Sequence, residues 1–251
     1  MTTRTIGCLG YIGRPEFAFD CPVDEDQIAS MLAARDDRIV MAHWDDLDVQ
    51  TLAARAWDVR RGEWVTWDYG RSAALLILEA PAPGSKNADF GHAEAAMREI
   101  LRRRIPAVNS MRTFLEYPDK RYLVERPDLP FPRTALVTRH SDLGPLLAAL
   151  PDEVVLKPLI GAGGKGVVRL PRDAEAVQAA MEPGREYLLQ PFLPEIMEGE
   201  RCLYFLAKRF RYALVKRPKP GEFRTNEGMA IYERYEPMAE ELALAEDAVR
   251  R

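Results

Sequence analysis

Lys157 ends an apolar, β-branched run, Val154-Val155-Leu156. Within four residues the chain enters Gly161-Ala162-Gly163-Gly164-Lys165-Gly166, and a second β-branched run, Val167-Val168-Arg169-Leu170, leads away. Side chains hold backbone N–H groups away from an oxygen anion. Glycines remove that obstacle, and a lysine adds a point charge. The chemistry this suits is the holding of a polyphosphate. Taken alone, the glycines also suit the tip of a surface hairpin.

Three nucleotide-binding patterns share such glycines, and the surroundings decide among them. A dinucleotide fingerprint needs a helix directly after the third glycine. Here a strand follows and stops at Pro171. A Walker A loop needs Gly-Lys-Ser/Thr at its end, whereas Gly166 precedes Val167. The spacing Gly161-x-Gly163-x-x-Gly166-x-Val168 fits a protein kinase loop literally. Kinases, however, carry their lysine after the loop and need H-R-D and D-F-G beyond it, and neither triplet occurs in the 85 residues that remain. The reading left is a β-hairpin with a glycine-rich tip and a lysine on its first strand.

A second positive wall lies downstream. Residues 201–224 hold eight basic residues, Arg201, Lys208, Arg209, Arg211, Lys216, Arg217, Lys219 and Arg224, against one acid, Glu222. Lys208, Arg209 and Lys219 suit a solvated face, and the others suit an anion. The whole chain carries a net charge of −4, so bulk charge gives no case for nucleic acid. The imbalance is internal: residues 1–100 contain 10 basic and 17 acidic side chains, and the rest 25 and 22. At 251 residues, with 47% hydrophobic and 29% charged, the chain can bury a real core in one large or two small domains. Its longest apolar runs fall far short of a bilayer span. The opening residues carry no signal peptide, which points to the cytoplasm and to reduced thiols. Cys8, Cys21 and Cys202 are scattered, as are His43, His92 and His140, so a His/Cys metal site is not expected.

The elements that must position these groups alternate strand and helix over the first hundred residues. Strands are expected at 5–11, 38–44, 73–78 and 105–109, with helices from Asp24 (capped there and reinforced by Gln27) and from Phe90 to Arg104. The stretch holding Trp57, Trp64 and Trp67 reads as partly extended. One helix is expected from Arg112 to Tyr122, then a proline-rich joint, a strand at 134–138 and a short helix at 142–150. After the glycine hairpin come a helix at 173–181, a strand from Tyr187, and a hairpin of 202–207 with 210–216.

Lys157 with its glycine loop, Gln190-Pro191-Phe192-Leu193-Pro194-Glu195, Gly199-Glu200-Arg201, Lys216-Arg217-Pro218 and Gly221-Glu222-Phe223-Arg224-Thr225-Asn226 follow one another in a definite order. That order resembles the ATP-grasp carboxylate–amine ligases, in the prokaryotic glutathione synthetase-like branch. Val108-Asn109-Ser110, Asp119-Lys120 and Phe131-Pro132-Arg133-Thr134 are similar to that branch too, so the likeness spans about 108 to 230. It implies an α/β chain of ATP-grasp fold with a Rossmann-like pre-ATP-grasp domain. The expected divisions are an N-terminal α/β substrate domain over 1–110, a central lobe over 111–190 and a C-terminal lobe over 191–251.

The resemblance also implies a reaction. A carboxylate attacks the γ-phosphate of ATP, and an amine then displaces phosphate from the acylphosphate to form an amide or peptide bond. Lys120 and Lys157 would hold phosphates, and Gly161, Gly163, Gly164 and Gly166 would close over them. Gln190, Pro191, Phe192 and Leu193 would form the adenine hinge, and Glu200 would take the ribose hydroxyls. Arg201, Arg217 and Arg224 would stabilise the γ-phosphate and acylphosphate, with Asn226 placing substrate or metal. The implied cofactors are ATP and Mg²⁺, and the implied partners are a small carboxylate and an amine, with no nucleic acid or membrane and a homodimer left open. The family carries its Mg²⁺ carboxylates on later strands. Here Ala230 leads through 232–237 into an acidic helix at 238–251, no strand bearing those carboxylates is expected, and the lobe reads as incomplete with its metal ligands unassigned. A nucleotide-binding module without turnover is the rival reading.

Overall fold

A computed structural model of the chain describes residues 4–10, 36–78, 80–81, 83, 88–226 and 228–250. The helix expected from Asp24 lies outside the described residues. The chain divides into two compact units, Met1–Pro118 and Asp119–Arg251.

The first unit is built on a six-stranded sheet. Its strands are β1 (Thr5–Gly10), β2 (Arg38–His43), β3 (Ala53–Asp58), β4 (Glu63–Asp68), β5 (Ala74–Ile77) and β6 (Ala107–Val108), in the order β4-β3-β2-β1-β5-β6. β2, β1, β5 and β6 run parallel, and β3 and β4 add an antiparallel hairpin at one edge. The stretch of three tryptophans is therefore a full hairpin. Trp57 and Trp64 meet edge to face across it at 5.5 Å, a cross-strand aromatic contact that a pleated pair favours. Helix α1 (Phe90–Arg102) starts where Asp89 accepts hydrogen bonds from the N–H groups of Gly91 and His92. Its Ala93, Ala96, Met97 and Ile100 recur at helical spacing and pack with Trp44, Tyr69 and Leu75 in the core. Glu94–Arg98 and Glu99–Arg102 pairs occupy its outer side.

The helix expected from Arg112 to Tyr122 is two pieces, α2 (Met111–Glu116) and α3 (Tyr122–Glu125). Pro118 explains the break: it has no N–H to donate, so the helical ladder cannot run on through it, although Tyr117 before it keeps helical angles (φ −54°, ψ −35°). Met111 of α2 is buried in the core of the first unit, which therefore reaches to Pro118.

The second unit holds two sheets. One runs β7 (Ala135–Val137), β10 (Tyr187–Pro191), β8 (Glu153–Pro158) and β9 (Val168–Pro171), all antiparallel neighbours. The short helices α4 (Gly144–Leu147) and α5 (Ala174–Ala179) cover one face, where Val154, Leu156, Val137, Leu147, Val177 and Leu189 are buried together. The second sheet is β11 (Glu200–Leu206), β12 (Arg209–Pro218) and β13 (Ala230–Tyr235), followed by α6 (Ala239–Arg250). β13 was not expected. It follows a loop that returns past Asn226, and it lies antiparallel to β12 with Glu233 on it. Between buried Ala230 and half-buried Tyr235 its residues are all exposed, so no hydrophobic periodicity announces it.

The turn joining β11 to β12 places Ala207 at φ 50° and Lys208 at φ 62°. Two left-handed residues in a two-residue connection suit the right-handed twist of a hairpin, and Asn-Gly fills such a turn without steric cost. The double change Ala207→Asn, Lys208→Gly is expected to raise the unfolding free energy by about 1 kcal/mol. Urea denaturation checks this, and a midpoint at or below that of the parent chain would contradict the assigned turn.

Candidate active site

β8 presents Val154 and Leu156 to the core. Alternation along the strand then brings Val155 and Lys157 out on the other face. Lys157 is half-buried and makes no ion pair with a described carboxylate. Burial, and then repulsion from Lys120, push its pKa from the usual 10.5 down to about 8. Burial likewise lowers the pKa of Lys120, with Asp119 opposing. Two ammonium groups are thus held near each other, and Lys157 has no carboxylate of its own, an arrangement that favours an incoming anion.

Lys120 does not simply reach into space. Its Nζ donates to the carbonyls of Gly161 (2.6 Å), Pro158 (3.2 Å) and Leu159 (3.4 Å). Its backbone N–H donates to Leu159 O, and Asp119 bridges to Ile160. With three donors on three carbonyls, Lys120 ties down the stem of the glycine loop. The loop itself needs glycine at Gly164, where φ is 70° and a Cβ would collide with the Asn226 carboxamide. At Gly161 and Gly163 a Cβ would meet nothing within 4 Å, so open space lies beside the loop.

The segment 222–226 clamps the loop tip. Arg224 forms a two-pronged pair with Glu222 (2.9 and 2.6 Å), and its Nη1 donates to Gly164 O at 3.3 Å. The same Glu222 accepts the N–H groups of Phe223 and Arg224, and the guanidinium first, with these donors, holds its carboxyl at about 2. Thr225 donates its hydroxyl to Glu200. One short turn therefore touches the glycine loop on one side and β11 on the other.

Gln190 is buried, and its amide donates to Thr134 Oγ1 at 2.6 Å. Phe192 is buried edge-on to Phe223 and beneath Arg169. The Phe192 N–H donates to Glu153 O, and Leu193 C=O accepts from Ile196. Pro191 has no N–H, so the Leu193 N–H is the hinge donor left without a partner among the described residues.

The structure separates the three arginines expected on one anion. Arg201 and Arg217 share the α6 side of their sheet: Arg201 pairs with Glu241 at 2.6 Å and stacks over Tyr235, and Arg217 pairs with Glu233 at 2.7 Å. Glu200, Cys202 and Lys216 alternate with them on the opposite face, Glu200 standing directly across from Lys216. Burial disfavours the charge on Lys216, but its contacts with Cys202, Glu200 and Tyr204 outweigh this and raise its pKa. Lys216 is thus the cation on the face of Glu200. Period-two alternation through the hairpin is the signal that would have selected it over Arg217. Arg224, Asn226, Glu200 and the glycine loop do come together; Arg201 and Arg217 stay apart from them.

A family model for the ATP-grasp domain of prokaryotic glutathione synthetase matches residues 119–247. The chain belongs to that family. Curated relatives of this ATP-grasp family include the glutathione synthetases of Nitrosomonas europaea, 35% identical over 125 residues, and Bordetella parapertussis, 36% identical over 126. Each match takes in 47% of this chain and 38% of the relative, so the chain spans less than half of these proteins. Among solved structures the fold is similar to D-cycloserine synthetase DcsG (TM-score 0.66, 18% identity, 97% of this chain and 79% of that one). It is also similar to a RimK domain ATP-grasp protein from Sphaerobacter thermophilus (TM-score 0.65, 21% identity, 98% and 81%). These likenesses establish the ATP-grasp fold. Among the described residues no helix is long and apolar enough to cross a membrane, and no three His, Cys, Asp or Glu side chains converge as metal ligands. Glu222 and Glu200 are each engaged within the protein, so the described residues do not build a Mg²⁺ cage.

The folded chain disfavours the Lys157 charge, so between about pH 8 and 10.5 it binds fewer protons than the unfolded chain. Stability gained from Lys157 therefore rises with pH across that window. Lys157→Met is expected to be more stable than the parent at pH 7 without nucleotide and to lose most of this rise. Urea melts at pH 7 and pH 10 check both, and an unchanged pH profile in the variant would contradict the assignment.

Proposed function

We propose that the chain is the ATP-handling part of a ligase that joins a small carboxylate to an amine through an acylphosphate. The observation that carries the proposal is the half-buried, unneutralised Lys157 beside Lys120 and an open glycine loop. In this reading Lys157 holds the transferred phosphate from one side, and Lys216 and Arg224 from the other. Charge spread over the equatorial oxygens in transfer is stabilised by such fixed cations. Loop N–H groups add donors, and Lys120 and Glu222 keep the loop and Arg224 in place. The Leu193 N–H reads the base, the remaining oxygen of Glu200 accepts a ribose hydroxyl, and Asn226 borders the substrate. The roles expected of Arg201 and Arg217 pass to Lys216.

Three further points belong to the same proposal. Residues 1–110, 111–190 and 191–251 act as substrate domain, central lobe and C-terminal lobe. The parallel strands β2-β1-β5-β6 support a Rossmann-like reading of the first. Mg²⁺ enters only as an ion carried by the nucleotide, and no step is assigned to it. The names of the curated relatives make a glutathione-like small peptide the first carboxylate–amine product to try. The pairing of Arg201 and Arg217 with glutamates favours, as a second reading, nucleotide binding without turnover.

A ligand at 100 times its dissociation constant adds about 2.7 kcal/mol to stability. ATP is expected to raise the melting temperature of the parent chain and not of Lys157→Ala. Continuous ADP turnover is expected to require both carboxylate and amine, because the acylphosphate formed with the first ADP is discharged only by the amine. It is expected to fall about 100-fold in Lys216→Ala, and to change little in Arg201→Ala. An ATP shift without turnover would select the second reading, and no shift with any nucleotide would sink both.

A further inference from the structure

The basic residues of 201–224 are not all absorbed by the nucleotide site. Among these eight residues the ion pairs with described carboxylates go to Arg201, Arg217 and Arg224. Arg211 and Arg234 make none with a described residue. Both line a cleft of about 550 Å³ along β12 and β13, together with Tyr212 and Leu214, and Glu236 is the one acid in its wall. The placement of Arg211 has a structural origin. Tyr204 pairs with Tyr212 and Phe205 with Phe210, so Arg211 is the extra residue of a β-bulge. Bulges re-aim a side chain out of the ladder. Tyr212 stacks on Tyr204 with centroids 4.5 Å apart and planes 13° from parallel, which stiffens that wall.

A second, independent feature adjoins the cleft. Among the described residues β13 is an edge strand, paired only with β12, and Ile231 and Tyr232 on it are about half exposed. Its outer N–H and C=O groups form a ready template for another extended chain. Guanidinium forks recognise carboxylates in two-pronged fashion. We propose that an extended acidic peptide docks here, laddering onto β13 and placing carboxylates against Arg234 and Arg211. The cleft lies toward the turn end of the hairpin while Lys216 stands at its Glu200 end, and the proposal does not depend on the ligase reading. Backbone laddering supplies affinity, and the two arginines select the charge.

Fluorescence anisotropy with a labelled (Glu-Val)₄ peptide on the full chain tests this. Binding is expected to persist in saturating ATP and to weaken at least fivefold in Arg211→Gln and in Arg234→Gln. It is also expected to weaken at least fivefold for (Glu-Pro)₄, which has the same charge but whose prolines fix φ near −65° and disfavour a laddered strand. Melting curves of both variants show that they fold, and Arg211→Gln alone, in the exposed bulge, suffices should Arg234→Gln not fold. Equal binding of the parent peptide to the folded variants overturns the proposal. So does equal binding of (Glu-Pro)₄ or of an eight-nucleotide oligo-dT, because the surface would then read charge without strand geometry.

Discussion

The structure of the second unit turns on one uncompensated charge. An ammonium that is half-buried, close to a second ammonium and without a carboxylate is costly to fold around. Nothing in local packing rewards it. The surrounding elements can all be understood as keeping that charge available. β8 is anchored by Val154 and Leu156 in an apolar core, so Lys157 cannot retreat inward. Lys120 spends its donors on loop carbonyls and so adds repulsion without offering relief. The acids nearby are already occupied, Glu222 by Arg224 and Glu200 by Thr225. A binding site for a polyanion requires this sorting, because any free carboxylate would neutralise the lysine before the ligand arrived.

The same sorting explains why a count of basic residues misleads. Eight cations within 24 residues look like one positive wall. The pleat divides them between two faces, and pairing then removes some from play. Arg201 and Arg217 fasten α6 and β13 to the sheet and carry no spare charge to speak of. Lys216, one residue from Arg217, sits on the other face and keeps its charge. A displacement of one residue along a strand decides between a structural tie and a cation on the face of Glu200.

Much of this was legible in the sequence. The strand–lysine–glycine–strand signal at 154–170 needed only β-branched runs and the steric freedom of glycine. Asp89 as a helix cap, the apolar spacing of Ala93, Met97 and Ile100, and the order of motifs from Lys157 to Asn226 were equally local. The rest depends on partners distant in sequence or on a single breaker. The break between α2 and α3 rests on one residue, Pro118. β13 carries no apolar alternation, because its stability comes from laddering onto β12. The roles of Lys120 and Arg201 depend on carbonyls 38–41 residues away and on a glutamate 40 residues away, and no spacing rule contains them.

The glycine loop is fastened unequally at its two ends. Its stem is held by three hydrogen bonds from one ammonium, the shortest 2.6 Å, and by the backbone bridge between Asp119 and Ile160. Its tip meets the 222–226 turn through a longer bond, from Arg224 to Gly164 O at 3.3 Å, and Lys165 on that tip has a partner of its own. Both ends of the loop continue into paired strands, β8 before it and β9 after it, so the glycines form a crossing tethered at each side rather than a free arm.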